Sequence, residues 1–244
     1  MPNENISMRQ LLVLLFTALL SPAVRVMPAE TAAVAGRAGW LSTLLALPAG
    51  LGLCWVLFAL FRRLPEGTGL AGACIRVFGK PLGKLLTAIY LLWGIFLLAA
   101  NTRLCGLRFL STGYRNGPLT LFLIVLLAVV LWLTYKKLPA FARAGEIFYL
   151  AIAAVLALTL LLSLPQMEAA NFLPLWVEDL PAAGRSALPA LALLGYGIYG
   201  VFLAGAVVRR PGDRRRAIRW TTAFCLAVTA LQLVCLGAFG PGLV

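Results

Sequence analysis

Two short stretches carry residues whose types and spacing could do chemistry inside an otherwise apolar chain. The first is Ser21-Pro22-Ala23-Val24-Arg25, a proline and a cation within one long apolar run. Proline supplies no backbone donor and clashes with the preceding turn, so a helix is expected to kink or break at Ser21-Pro22. Broken backbone survives in lipid only where protein or a water-filled cavity satisfies it. A half-helix with free N–H groups beside a guanidinium would hold an anionic group such as a carboxylate. Ser21, Pro22, Ala23 and Arg25 are therefore candidate ligand-binding residues. In the competing reading, Arg25 snorkels to the interface or pairs with Glu30, a little more than one turn on.

The second stretch is Gly195-Tyr196-Gly197-Ile198-Tyr199-Gly200. Each glycine weakens a helix by ~1 kcal/mol relative to alanine, and three fall within six residues. An unwound segment here would offer the Tyr196 and Tyr199 hydroxyls to a ligand. Gly195, Tyr196, Gly197, Tyr199 and Gly200 form the second candidate set. The same glycines would equally let neighbouring helices pack closely. Paired interruptions in two apolar segments are the arrangement that inverted-repeat transporters use to bind solutes.

Other charged residues have simpler expectations. Arg103, after Asn101 and Thr102, reads as a snorkelling cation or a vestibule residue. Glu146 is expected in the first turn of a helix, where the dipole stabilises an acid, with proton coupling as the alternative. Arg209 to Arg219 reads as a topology determinant and a contact for anionic lipid headgroups. The chain contains no histidine, which removes Ser-His-Asp triads, His metal sites and His proton relays. Cys54, Cys74, Cys105, Cys225 and Cys235 show no CxxC spacing and read as small hydrophobes. HExxH, GxSxG and P-loop patterns are absent. Neither an enzyme nor a cofactor or metal is expected.

The elements that must position these residues follow from composition. Of 244 residues 62% are hydrophobic and 12% charged, with the apolar residues in continuous rather than alternating runs. Such runs approach or exceed the ~20 residues that span a bilayer as helix. Seven are expected, at about 9–35, 39–61, 82–107, 118–135, 144–164, 184–208 and 217–240. The class is an all-α integral membrane protein. Its net charge of +13 comes without a nucleic-acid motif. Fifteen of the 21 cations fall before the first segment or in the loops after segments two, four and six. The positive-inside rule then places the N-terminus in the cytoplasm. The Leu11–Leu20 run could also be read as a signal peptide, but Glu4 and a single cation make a poor n-region.

Several motifs together resemble one family. They are Ile6-Ser7-Met8-Arg9-Gln10, Gly79-Lys80-Pro81-Leu82-Gly83-Lys84, Ala142-Arg143 with Glu146-Ile147, and Ser163-Leu164-Pro165-Gln166 leading to Asn171-Phe172-Leu173-Pro174. Arg209-Arg210-Pro211 and Phe239-Gly240-Pro241 complete the set. Their order resembles the spore germinant-receptor B subunits, the endospore germination permeases of the amino acid–polyamine–organocation transporter superfamily. The resemblance implies a LeuT-type inverted-repeat fold with broken helices 1 and 6. It implies a single transmembrane domain over 1–244, with a first repeat at about 9–164 and a partial second at about 184–240. Seven helices against about ten in that family would make this a truncated version. Segment six reads Gly197-Ile198-Tyr199, without the acid that members often carry there. The implied role is a permease-like subunit that binds or transports an amino-acid-type germinant in the spore inner membrane. A-type and C-type receptor subunits would be its partners. The alternatives are an amino-acid or organic-cation transporter outside sporulation, or a non-transporting remnant.

Overall fold

A computed structural model describes residues 5–65, 67–113, 117–173 and 176–242. Seven α-helices follow one another among them: α1 (Met8–Ala35), α2 (Ser42–Arg62), α3 (Leu70–Thr112), α4 (Leu119–Thr134), α5 (Leu138–Ser163), α6 (Leu180–Gly195) and α7 (Asp213–Phe239). Longer 3₁₀ segments follow α1, at Gly36–Leu41, and α6, at Tyr196–Ala206. Among the described residues, five stretches are long and apolar enough to cross a membrane: Met8–Leu60, Leu70–Thr112, Leu138–Gln166, Val177–Ala206 and Asp213–Phe239. The first joins α1 to most of α2, and α4 is a shorter apolar helix. The chain is an all-α, multi-pass membrane protein.

Local chemistry explains where α1 starts and stops. Ser7 Oγ accepts the Gln10 N–H at 3.2 Å, and Gln10 Oε1 accepts the Ser7 N–H at 2.9 Å, a reciprocal capping box. The helix then stays α-helical through Pro22 and Pro28, so the interruption expected at Ser21-Pro22 is absent. Lipid contains no water to compete for the carbonyls that proline frees, and neighbouring side chains and small local adjustments hold the helix together. The chain leaves helical geometry at Gly36, with φ 52° and ψ −122°, a region that residues with a Cβ avoid. A Cβ on Gly39 would come within 2.8 Å of the Thr31 carbonyl oxygen, so the 3₁₀ turn folds tightly back on α1.

The described residues divide into two compact units. One holds β1 (Ile6–Ser7), α1, α2, α5 from Ala142, α6, Tyr196–Gly200, β2 (Val207–Val208) and α7. Here α1 and α2 each pack against both α6 and α7. Phe16, Leu20, Ala23 and Met27 of α1 form the core with Ala46 of α2, Leu193 and Leu194 of α6, and Phe224 and Val228 of α7. The strands β1 and β2 pair in parallel, Ile6 with Val207 and Ser7 with Val208.

The other unit comprises α3, α4, the Leu138–Phe141 turn of α5 and Val201–Ala206. As one straight rod the 43 residues of α3 would measure about 64 Å, twice the hydrocarbon thickness. It is divided at Gly79, where φ is 78° and ψ 171°. A Cβ on Gly83 would sit 2.5 Å from the Ile75 Cα, so Leu70–Phe78 doubles back on the longer piece. Phe109 and Phe122 stack at 5.9 Å beside Gly106, whose missing side chain admits Leu119 and Leu123.

Candidate functional site

The most unusual backbone in the bundle is the 3₁₀ run after α6. The α-helix stops at Gly195, and 11 residues from Tyr196 to Ala206 follow in 3₁₀ geometry. Runs beyond three or four residues are uncommon, and mid-helix 3₁₀ marks hinges. At about 2.0 Å rise per residue the run spans some 22 Å, about 5 Å more than α-helix would. Residues i and i+3 eclipse in such a helix. The Tyr196 and Tyr199 rings accordingly lie together, 6.3 Å apart, and Gly197 and Gly200 share another face.

That glycine face is partly filled. A Cβ on Gly200 would lie 2.6 Å from Leu15 Cδ1, whereas nothing lies within 4 Å of a Cβ on Gly195 or Gly197. Gly200 is buried and the other four residues of the set are half-buried, with the Tyr199 hydroxyl oxygen itself buried. On α1, Ser21 is exposed, Pro22 is half-buried and Ala23 is fully buried; Arg25 is half-buried with its Nε inside. Leu15 meets Gly200, and Ala23 shares its core cluster with Leu193 and Leu194, so α1 and α6 run antiparallel. This register brings Ser21 and Pro22 near the level of Gly195 and Tyr196. Arg25 falls about a turn further along, away from Tyr199. The two candidate stretches are thus neighbours, but Arg25 and Tyr199 occupy opposite ends of the shared surface.

A buried polar cluster lies beyond these residues. Gln232 of α7 donates from Nε2 to Thr31 Oγ1 at 3.1 Å and to Ser42 Oγ at 2.9 Å. Its Oε1 accepts from Thr43 Oγ1 at 2.8 Å. Thr31 Oγ1 gives its only proton to the Met27 carbonyl at 2.6 Å, so it must accept from Gln232, which fixes the amide orientation. All four side chains are at most 1% exposed. The cluster ties α7 to the last turns of α1 and the first turn of α2, on both sides of the Gly36–Leu41 turn. Sequence reasoning passed over it, although a glutamine inside an apolar run is itself a signal of interhelical hydrogen bonding.

One other expectation changes. Glu146 is not in a first turn, because α5 begins at Leu138, eight residues earlier. It pairs instead with Arg9 of α1 at 3.4 Å, so an ion pair replaces the helix dipole as its stabilising partner. Arg209 donates from Nη1 to the Leu64 carbonyl at 3.1 Å, serving a carbonyl just past the end of α2. Asp213 is 5% exposed and accepts both the Arg210 N–H, at 2.8 Å, and Arg216 Nη1, at 3.2 Å.

Comparison with known proteins gives a consistent identification. Residues 5–238 match the family of spore germination proteins of the spore permease type. Spore germination protein KB of Bacillus subtilis (strain 168) is 25% identical over 149 residues, covering 61% of this chain and 39% of that protein. The chain therefore aligns with well under half the length of that relative. No solved structure matches it.

Proposed function

Because the chain belongs to the spore germination protein family, with residues 5–238 matched, we propose that it is a germinant-receptor permease-like subunit that binds an amino-acid-type solute. Its setting is the spore inner membrane, with the N-terminus on the cytoplasmic face, as the cation distribution favours. Its binding surface lies where Ser21, Pro22, Ala23 and Arg25 of α1 neighbour Gly195, Tyr196, Gly197, Tyr199 and Gly200. The observation that carries this reading is the 11-residue 3₁₀ run, opened at glycines beside a proline-bearing helix.

The chemistry suits a zwitterion. Pro22 has no N–H to give the Ala18 carbonyl, which leaves an acceptor for an ammonium group. Arg25 is seven residues on, about 10 Å along the axis. Its side chain leans back toward the helix N-terminus, and its guanidinium suits a carboxylate. The Tyr196 and Tyr199 hydroxyls can donate to or accept from polar substituents. Every one of these roles is binding; none activates a nucleophile or moves a proton in a reaction. A-type and C-type receptor subunits are the partners that fit a B-type permease.

The test uses the full chain in lipid nanodiscs and in sealed vesicles, with radiolabelled L-amino acids. Saturable binding without uptake supports the receptor reading. Uptake by the protein alone favours the second reading, a solute transporter. Gly197→Leu fills the open glycine face and is expected to lower binding at least tenfold with the protein still folded. Arg25→Ala is expected to weaken carboxylate-bearing ligands and spare their amides. Unchanged binding in both variants overturns the assignment of this surface.

A further inference from the structure

A cavity lies at the start of α7. Its volume is about 330 Å³ and it is lined by Gly212, Arg215, Arg216, Arg219 and Trp220. That is at the lower end of the size range of small-molecule sites and larger than a lone inorganic ion needs. One of its three guanidinium groups is already engaged, since Arg216 pairs with Asp213. Among the described residues, no carboxylate lies within 4.0 Å of Arg215 or Arg219. These two are four residues apart on one helix, so their like charges repel. An anion between them would turn that repulsion into a clamp.

Depth along the helix points to the anion's source. A bilayer core needs about 20 helical residues, and counting back from Phe239 reaches Trp220. Tryptophan favours the headgroup level, so Arg215, Arg216 and Arg219 sit at the depth of lipid phosphates. Arginine forks bind phosphate oxygens in pairs.

We propose that this cavity binds a phosphate ester, supplied by the headgroup of an anionic bilayer lipid. It is tested on the delipidated full chain in neutral detergent, titrated under native mass spectrometry with dioleoyl phosphatidylglycerol, dioleoyl phosphatidylcholine and soluble glycerol 1-phosphate. Phosphatidylglycerol is expected to bind more tightly than phosphatidylcholine. The double variant Arg215→Ala/Arg219→Ala should lose about thirtyfold in phosphatidylglycerol affinity, with phosphatidylcholine unchanged. Arg215→Lys/Arg219→Lys, which keeps the charge, should recover part of the loss and also answers for the alanine pair should that fail to fold. Lys136→Ala/Lys137→Ala removes the same charge elsewhere and should leave phosphatidylglycerol affinity unchanged. Undiminished phosphatidylglycerol affinity in the Arg215/Arg219 alanine pair overturns the proposal, as does an equal loss in the lysine control. Arginine-dependent binding of glycerol 1-phosphate as tight as that of the lipid overturns the membrane source.

Discussion

The helices α5 and α7 have nearly equal lengths, 26 and 27 residues, yet they are used in opposite ways. The most apolar window of α5 is the more hydrophobic of the two, and none of it is buried. Half of the corresponding window of α7 is buried. In water that order would be reversed. In lipid the acyl chains are as apolar as leucine, so apolar side chains gain little by meeting one another. The interior is held instead by close packing and by interhelical hydrogen bonds. Cys225, Val228, Thr229 and Gln232 therefore face inward on α7, while Leu150, Val155, Leu158 and Leu161 of α5 remain exposed. The part of α5 that does pack follows the same rule. Ala142 is fully buried, Gly145 lies against Leu14, and Tyr149 meets Phe16 edge-on at 5.2 Å.

The largest expected effect comes from removing the polar centre of α7. Gln232→Leu deletes three side-chain hydrogen bonds and leaves Ser42 and Thr43 buried without those partners. Interhelical hydrogen bonds in membranes contribute roughly 0.6 kcal/mol each and up to about 1.7. The variant should lose about 2–3 kcal/mol in reversible unfolding, while Leu158→Thr on exposed α5 stays within about 0.5 kcal/mol. If the two substitutions cost the same, the contrast between the helices does not rest on hydrogen bonding.

A smaller effect should appear where α5 touches α1. A side chain at Gly145 would meet Leu14 Cδ2 at 2.5 Å, the far end of a flexible residue. Gly145→Leu is expected to cost about 1–2 kcal/mol through overpacking, with Gly145→Ala milder because Leu14 can rotate away. Thermal unfolding in detergent would separate the two. A neutral Gly145→Leu would mean that α5 is as loosely held at its start as along its exposed length.

The sequence made much of this legible because bilayer thickness sets the length of apolar runs. The expected segments 9–35, 39–61 and 118–135 lie within two or three residues of α1, α2 and α4. The glycines at Gly195–Gly200 marked where α6 gives way to 3₁₀ geometry, since their cost is local to the helix. Pro22 misled because lipid protects a helix that water would attack. Leu70–Phe78 escaped notice because Gly72 and Arg76 interrupt its apolar run, and its fold-back depends on the backbone of Gly79. Gln232 and Thr31 are 201 positions apart, so no local pattern announces their bond.

The smallest predicted effect concerns the ion pair that joins α5 to α1. Arg9 and Glu146 approach to 3.4 Å, but their side chains are 67% and 28% exposed. Solvent and salt screen such a pair, and exposed pairs typically contribute 0.2–1 kcal/mol. A double-mutant cycle of Arg9→Ala and Glu146→Ala should give a coupling of about 0.3–0.5 kcal/mol, falling further in ~0.5 M salt. The cycle isolates the pair because each alanine removes only one side of the contact. If the coupling exceeded about 1 kcal/mol, charge rather than the Ala142, Gly145 and Tyr149 face would hold α5 to α1. In that case the exposed length of α5 would swing from an electrostatic anchor at its start, and the difference between α5 and α7 would be one of attachment as well as of burial.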